Sequence, residues 1–298
     1  MRRISILLLT ILCVVVSYAQ KMKHPSLLYT QERIELAKQR MKSDPEMAKA
    51  WKELKTDADK RVKAKRLNDL DYLSLAYLMT KDCKYSDRIK EILLDLKNTE
   101  TWGSAEMLAR KPIWHADLGL SHKCYLTAIA FDAIYNVLSS SERKTIARDL
   151  NRLGLQPSMG DWLLEPTRIH SLNSMGHNWW TSCACMGGIL ALSLQNELPE
   201  AREAALQLNE HLPEWNACPG VAQPEIPELK NIPNYFMHVC YPRTGMLYDV
   251  NFGDSHLNIT AESSMMLLYA LGIRNDNMLW YMKQVQQGQN RDGYFLNR

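Results

Sequence analysis

The stretch that decides the fold is Asp117–Leu138, DLGLSHKCYLTAIAFDAIYNVL. It is long and apolar on most of its faces, the pattern of a helix buried on two sides. Such a helix needs partners around it, and the flanking sequence supplies them. Upstream, Thr30 can cap a helix QERIELAKQRMKS, to which Ile34 and Leu36 contribute apolar positions. Asp44 as cap and Pro45 at the first helical position open a second helix, DPEMAKAWKELKTDADKRVKA. LDYLSLAYLMT and SDRIKEILLDLKN make a short pair. Downstream, Ser139 to Glu142 reads as a capping box opening ERKTIARDLNRLG, a helix that Gly154 is expected to end.

Beyond Gly154 the stretch Leu155 to Gly176 has no clean period and is expected to be a loop. HNWWTSCACMGGILALSLQN follows as a helix, and Pro199 opens another, PEAREAALQLNEHL. Pro213 to Pro233 holds five of the 12 prolines and reads as irregular backbone. GMLYDVNFGDSH alternates weakly, as a short hairpin or an extended loop does. Two helices, NITAESSMMLLYALGI and DNMLWYMKQVQQ, close the organised part. Paired helices, short connections and no strand-rich region predict an all-α domain of antiparallel helix pairs over residues 20–298.

Residues 1–19 read as a secretory leader. Arg2 and Arg3 precede an apolar run, Ile4 to Val16, and Ser17-Tyr18-Ala19 supplies the small residues of a cleavage site. Cleavage after Ala19 predicts a periplasmic or secreted protein. The apolar run is too short for a membrane span, and Leu12 before Cys13 argues against a lipid anchor. The composition, 46% hydrophobic and 23% charged, allows a sizeable core. A formal net charge of +3 is too mild to imply nucleic acid and permits an anionic partner. Of the seven cysteines one, Cys13, lies in the leader. Cys183 and Cys185 lack the spacing of a structural zinc site and read as small buried residues of a tightly packed helix. His115, His122, His170, His177 and His211 do not fall at ligand spacing with partner acids, so no metal is expected.

Polar and aromatic side chains crowd the segment before the helix HNWW…: Trp162, Arg168, His170, Asn173, His177, Asn178, Trp179 and Trp180. Loops with this mix are typical of binding sites. Trp179 and Trp180 are adjacent and cannot both face one way on a helix. One belongs in the core, and the other is free to stack on a sugar ring. The first turn of a helix presents free N–H groups and partial positive charge, which suits a carboxylate. Arg168 shares this segment with Asn173 and His177, and arginine suits bidentate carboxylate recognition. Arg110, Lys111 and Arg243 are further cations in expected loops.

HPSLLYT near the mature start, SMGHNWW before a small-residue helix, and NFGDS at Asn251 to Ser255 together resemble the heparinase II/III-like polysaccharide lyases. GHNWW is the most specific of these motifs. The resemblance runs from about His24 to Arg298. It implies an amino-terminal (α/α) toroid, incomplete because the carboxy-terminal β-sandwich region of the family is not covered, and hence a truncated or partial member. It also implies β-elimination of uronic-acid-containing glycans, with an anionic polysaccharide as partner and no cofactor. In that chemistry a uronate loses its C5 proton and the bond to the C4 oxygen breaks; a hydrogen bond to the carboxylate stabilises the dianionic transition state. The resemblance places Asn178 in that neutralising role, His177 as assistant or base, and a tyrosine as acid–base partner, for which Tyr235 in PNY fits ahead of Tyr241 and Tyr248. Substrate contacts would come from Arg168, Trp179, Trp180, His170 and Asn173. Two other readings remain open. A glycoside hydrolase would need two carboxyl groups across a cleft, from among Asp254, Glu262 and Asp161. A glycan-binding or structural helical domain would need no catalytic group.

Overall fold

The computed structural model describes residues 22–164, 168–169, 178–216, 240–243 and 246–249. The leader and the helices expected after Asn258 lie outside them. The chain divides into two compact units, Met1–Cys218 and Pro219–Arg298, where the sequence reads one domain over 20–298. The described part of the first unit is mostly helical. In the second, β1 (Cys240–Arg243) pairs antiparallel with β2 (Met246–Asp249), with Tyr241 opposite Tyr248. Only β2 falls in GMLYDVNFGDSH, the stretch expected to form a short hairpin or an extended loop; its partner β1 precedes that stretch.

Polar caps at Thr30, Asp44 and Ser139 set helix starts where the sequence placed them. Helix α1 (Gln31–Arg40) begins at Thr30, whose hydroxyl accepts from the Arg33 N–H. Helix α2 (Pro45–Arg61) begins at Asp44, which accepts from the Met47 N–H. Helix α3 is Leu70–Thr80. Helix α4 (Cys83–Asp95) starts almost a turn before the expected Ser86, because Asp82 accepts from the Lys84 N–H and caps it there. After the short α5 (Ala105–Leu108), Asp117 caps α6 (Leu118–Ile134) through the Leu120 N–H. Ser139 and Glu142 form the full capping box of α7 (Ser140–Leu150). Each such cap contributes about 1 kcal/mol.

Two expectations fail next. Gly154 does not end α7. Residues Asn151–Leu155 take a π-helical turn, and the chain continues into α8 (Gln156–Trp162), within the stretch expected to be a loop. The physical reason is burial. A Cβ on Gly154 would lie 2.8 Å from the Cys124 sulfur and 2.8 Å from the Trp102 ring, so this glycine permits close packing and is not a cap. Leu153, Leu155, Met159 and Trp162 are all buried around it. After α9 (Asn178–Leu194), α10 (Pro199–Asn216) runs through Pro213, where irregular backbone was expected. Pro213 removes one N–H near the helix end, and α10 continues past it.

Burial alternates along the chain. Helices α1, α2, α4 and α7 carry charged outer faces, while α3, α6 and α9 are largely enclosed. Helix α6 buries Leu120, Cys124, Leu126, Ile129, Phe131 and Ile134, as its sequence predicted. Helix α9 packs against α6, α8 and α10, and α3 packs against α2, α4 and α6. Ser121 meets Cys183 near the starts of α6 and α9. At their other ends His24 bridges Asp132 and Asn196. These two helices therefore run in the same direction. Against α9, Gly154 lies by Leu190, Ser158 by Gly187 and Trp162 by Trp179.

The HPSLLYT segment is a clasp. His24 is buried, with Nδ1 2.6 Å from Asp132 Oδ1 and Nε2 2.9 Å from Asn196 Nδ2. The Ser26 and Leu27 N–H groups also donate to Asp132, and the Tyr135 ring stacks on the imidazole at 3.8 Å. A carboxylate has only acceptors to offer, so Nδ1 carries the ring proton and Nε2 accepts from Asn196. Among the described residues no helix is long and apolar enough to cross a membrane.

Candidate functional site

Three segments converge at the start of α9. Asp161 sits near the end of α8 with its carboxylate buried. One oxygen accepts from the backbone N–H groups of His115 and Ala116, the latter at 2.9 Å; the other lies 3.0 Å from His115 Nδ1. Three donors thus meet one carboxylate, which requires the proton on Nδ1 and leaves the Nε2 lone pair available. The imidazole itself is 54% exposed. The next residue on α8, Trp162, donates its indole N–H to the Ala116 carbonyl at 3.4 Å, which ties the same loop a second time. The result is a histidine held in one tautomer and orientation, with a buried carboxylate behind it and solvent in front. Orienting a base in this way is how a general base is made effective.

Tryptophans wall the dyad. Trp114, beside His115, stands edge-on to Trp162 at 6.4 Å and to Trp179 at 5.8 Å. Trp162 and Trp179 lie 6.3 Å apart. Trp162 is buried, whereas Trp114 and Trp179 are half-buried. The exposed Arg110 lays its guanidinium 4.4 Å over the Trp114 ring and pairs with Glu106 at 3.3 Å. Ile113 and Leu118, both exposed, flank the histidine. The whole offers one oriented imidazole, aromatic faces for a sugar ring and a cation for an acid group.

Of the residues singled out by sequence, Trp179 and Trp162 are part of this cluster. Asn178 opens α9 directly beside it. Arg168 is half-buried and adjoins Ile169, whose N–H donates to the Asp161 carbonyl at 2.9 Å. His170, Asn173, His177 and Tyr235 lie outside the described residues, as do Asp254 and Glu262. Two expectations are corrected. Trp180 is fully buried and is the core member of the pair, so it does not contact substrate. Asp161 is engaged by two backbone N–H groups and an imidazole, so it does not serve as the free acid of a hydrolase. The small-residue reading of Cys183 holds: it is buried and free, and burial pushes its thiol up to about 12. Burial raises the equally enclosed Cys124 thiol as well.

His115 is the residue that sequence reasoning missed, having met it only as a histidine without ligand spacing. Its signal was present. WHAD places a histidine and a tryptophan immediately before the cap of α6, the same arrangement that drew attention to GHNWW. Comparison of the chain with protein-family models and with curated proteins finds no match.

Proposed function

We propose that this chain is a secreted or periplasmic polysaccharide lyase that cleaves uronic-acid-containing glycans by β-elimination at the start of α9. The observation that carries the reading is the exposed His115 imidazole, oriented by buried Asp161 and bordered by Trp114 and Trp179. In this reading a sugar ring packs against the half-buried Trp114 and Trp179. His115 Nε2 removes the C5 proton of a uronate. Electrons move to the C4–C5 bond as the bond from C4 to the glycosidic oxygen breaks, and that oxygen leaves with a proton from a second, acidic group. The positive end of α9, with Asn178 as its first residue, stabilises the charge developing on the carboxylate. Imidazolium formed on Nε2 is stabilised by Asp161, as in other histidine–carboxylate pairs.

An (α/α) toroid arrangement is part of the same proposal. Enclosed α3, α6 and α9 alternate with charged-faced helices, α6 and α9 run the same way, and the contacts of α8 along α9 fit opposite directions. An inner ring of like-directed helices has this form, and it gathers helix starts at one end, where the dyad sits.

The test uses the full chain with a panel of polyuronates: heparan-type, chondroitin-type and alginate-type. Ultraviolet absorbance from an unsaturated uronate product is expected with at least one. Saturable binding with no product for any member, or products lacking the double bond, would contradict a lyase.

A further inference from the structure

Away from the dyad, the clasp at the ends of α6 and α9 has hydrogen bonds that close for only one charge state of His24. Asn196, two residues past α9, holds Met22 as a neighbouring strand would. Its Oδ1 accepts from the Met22 N–H at 2.9 Å, and its Nδ2 donates to the Met22 carbonyl at 2.8 Å. These two bonds fix which way the amide points. The second N–H of Nδ2 is left to His24 Nε2, 2.9 Å away. An amide nitrogen offers only donors, so Nε2 must keep its lone pair. Across the ring, Nδ1 donates to Asp132, a carboxylate that also takes the Ser26 and Leu27 N–H groups. The His24 side chain is 1% exposed, so a ring N–H that loses its partner has no bulk water to turn to.

The other groups around the ring are paired. Tyr135 stacks on it at 3.8 Å and donates its hydroxyl to Glu197. Arg143 meets Glu197 at 3.3 Å and lies 4.8 Å over the Tyr135 ring. Asn136 Nδ2 donates to the His24 carbonyl at 2.8 Å, and Lys23 is exposed. Among the described residues Asn196 Nδ2 is the hydrogen-bond partner of Nε2.

We propose that the clasp is an acid-released latch, in which protonation of His24 detaches Met22. A second ring proton turns Nε2 into a donor aimed at the Asn196 amide nitrogen, and two donors then face each other in a buried place. The imidazolium keeps its bond to Asp132, so the conflict falls on Asn196. A half-turn of the amide presents Oδ1 to Nε2–H, but it takes Oδ1 from the Met22 N–H and Nδ2 from the Met22 carbonyl together. Proton uptake and release of Met22 are thus one event. This does not depend on the glycan reading above.

The test is hydrogen exchange of the full chain, read by mass spectrometry from about pH 7.5 to about pH 5, the range in which imidazole changes charge, with rates corrected for the intrinsic effect of pH. Protection over residues 22–27 is expected to fall at least about tenfold towards the acid limit, while the centre of α6 stays within about twofold. Asn196→Asp supplies an acceptor to a protonated Nε2, so its protection should be no lower in acid than at neutral pH. Unchanged wild-type protection overturns the proposal, as does an equal fall in Asn196→Asp or a fall shared by the centre of α6. If Asn196→Asp fails to fold, nitrogen NMR of the wild type decides. The His24 ring and the Met22 amide must then titrate with one midpoint, and a ring that gains its second proton while the Met22 amide stays unmoved overturns the latch.

Discussion

Asp71 offers a stability test whose size follows from its surroundings. Burial pushes its carboxyl up to about 6 from an ordinary 3.8, against the lowering pull of backbone N–H groups and of Arg61. Asp69 adds to the rise. Below the unfolded value, Asp71 is protonated in both states and costs nothing extra. Between the two values the unfolded chain releases its proton while the folded chain keeps it, so folding is progressively penalised as pH rises. Above about pH 7 the penalty is complete, at most about 3 kcal/mol for a shift of about two units. Asp71→Asn cannot ionise and retains an oxygen for the Tyr72 N–H. Its advantage over the wild type should therefore be near zero at about pH 3 and grow to between about 1 and 3 kcal/mol by about pH 8. Urea denaturation followed by tryptophan fluorescence, run on both proteins across that range, measures the difference. An advantage that does not change with pH, or an Asn variant weaker at neutral pH, would refute the reasoning.

Other substitutions probe other parts of the account. Asp161→Asn leaves two backbone N–H groups facing an amide that can satisfy only part of the set; it should cost about 1–3 kcal/mol in urea denaturation and reduce turnover at least about a hundredfold. Trp180→Ala should destabilise by about 3–5 kcal/mol, whereas Trp179→Ala should lose glycan affinity with a smaller stability change, read by denaturation and calorimetry side by side. Gly187→Ala brings a methyl within 2.9 Å of both the Met159 sulfur and the Ser158 hydroxyl, and should cost about 1–3 kcal/mol in thermal or urea denaturation.

Local signals were legible wherever one residue decides an end. Thr30, Asp44 and the Ser139–Glu142 box each sit where a capping side chain meets a free N–H, and the sequence shows both. The enclosed character of α6 was legible because apolar residues occupy most of its faces. What failed was long-range. Gly154 looks like a helix stop until Trp102, Cys124 and Leu190 are seen around it. Asp161 looks like a spare acid until the loop at His115 and Ala116, some 45 positions away, closes on it. The site shows the same division. GHNWW marked the start of α9 and the half-buried Trp179, while the dyad beside it depends on a contact between segments that no spacing rule connects.

The central claim is that His115, held by Asp161, is the base of a glycan elimination. The most direct measurement is ultraviolet turnover of His115→Ala beside wild type on the best uronate substrate, with binding of the same glycan measured in parallel. The account predicts that product formation falls at least about a thousandfold while affinity changes less than about threefold. Turnover within about tenfold of wild type would contradict it and move the chemistry away from this histidine.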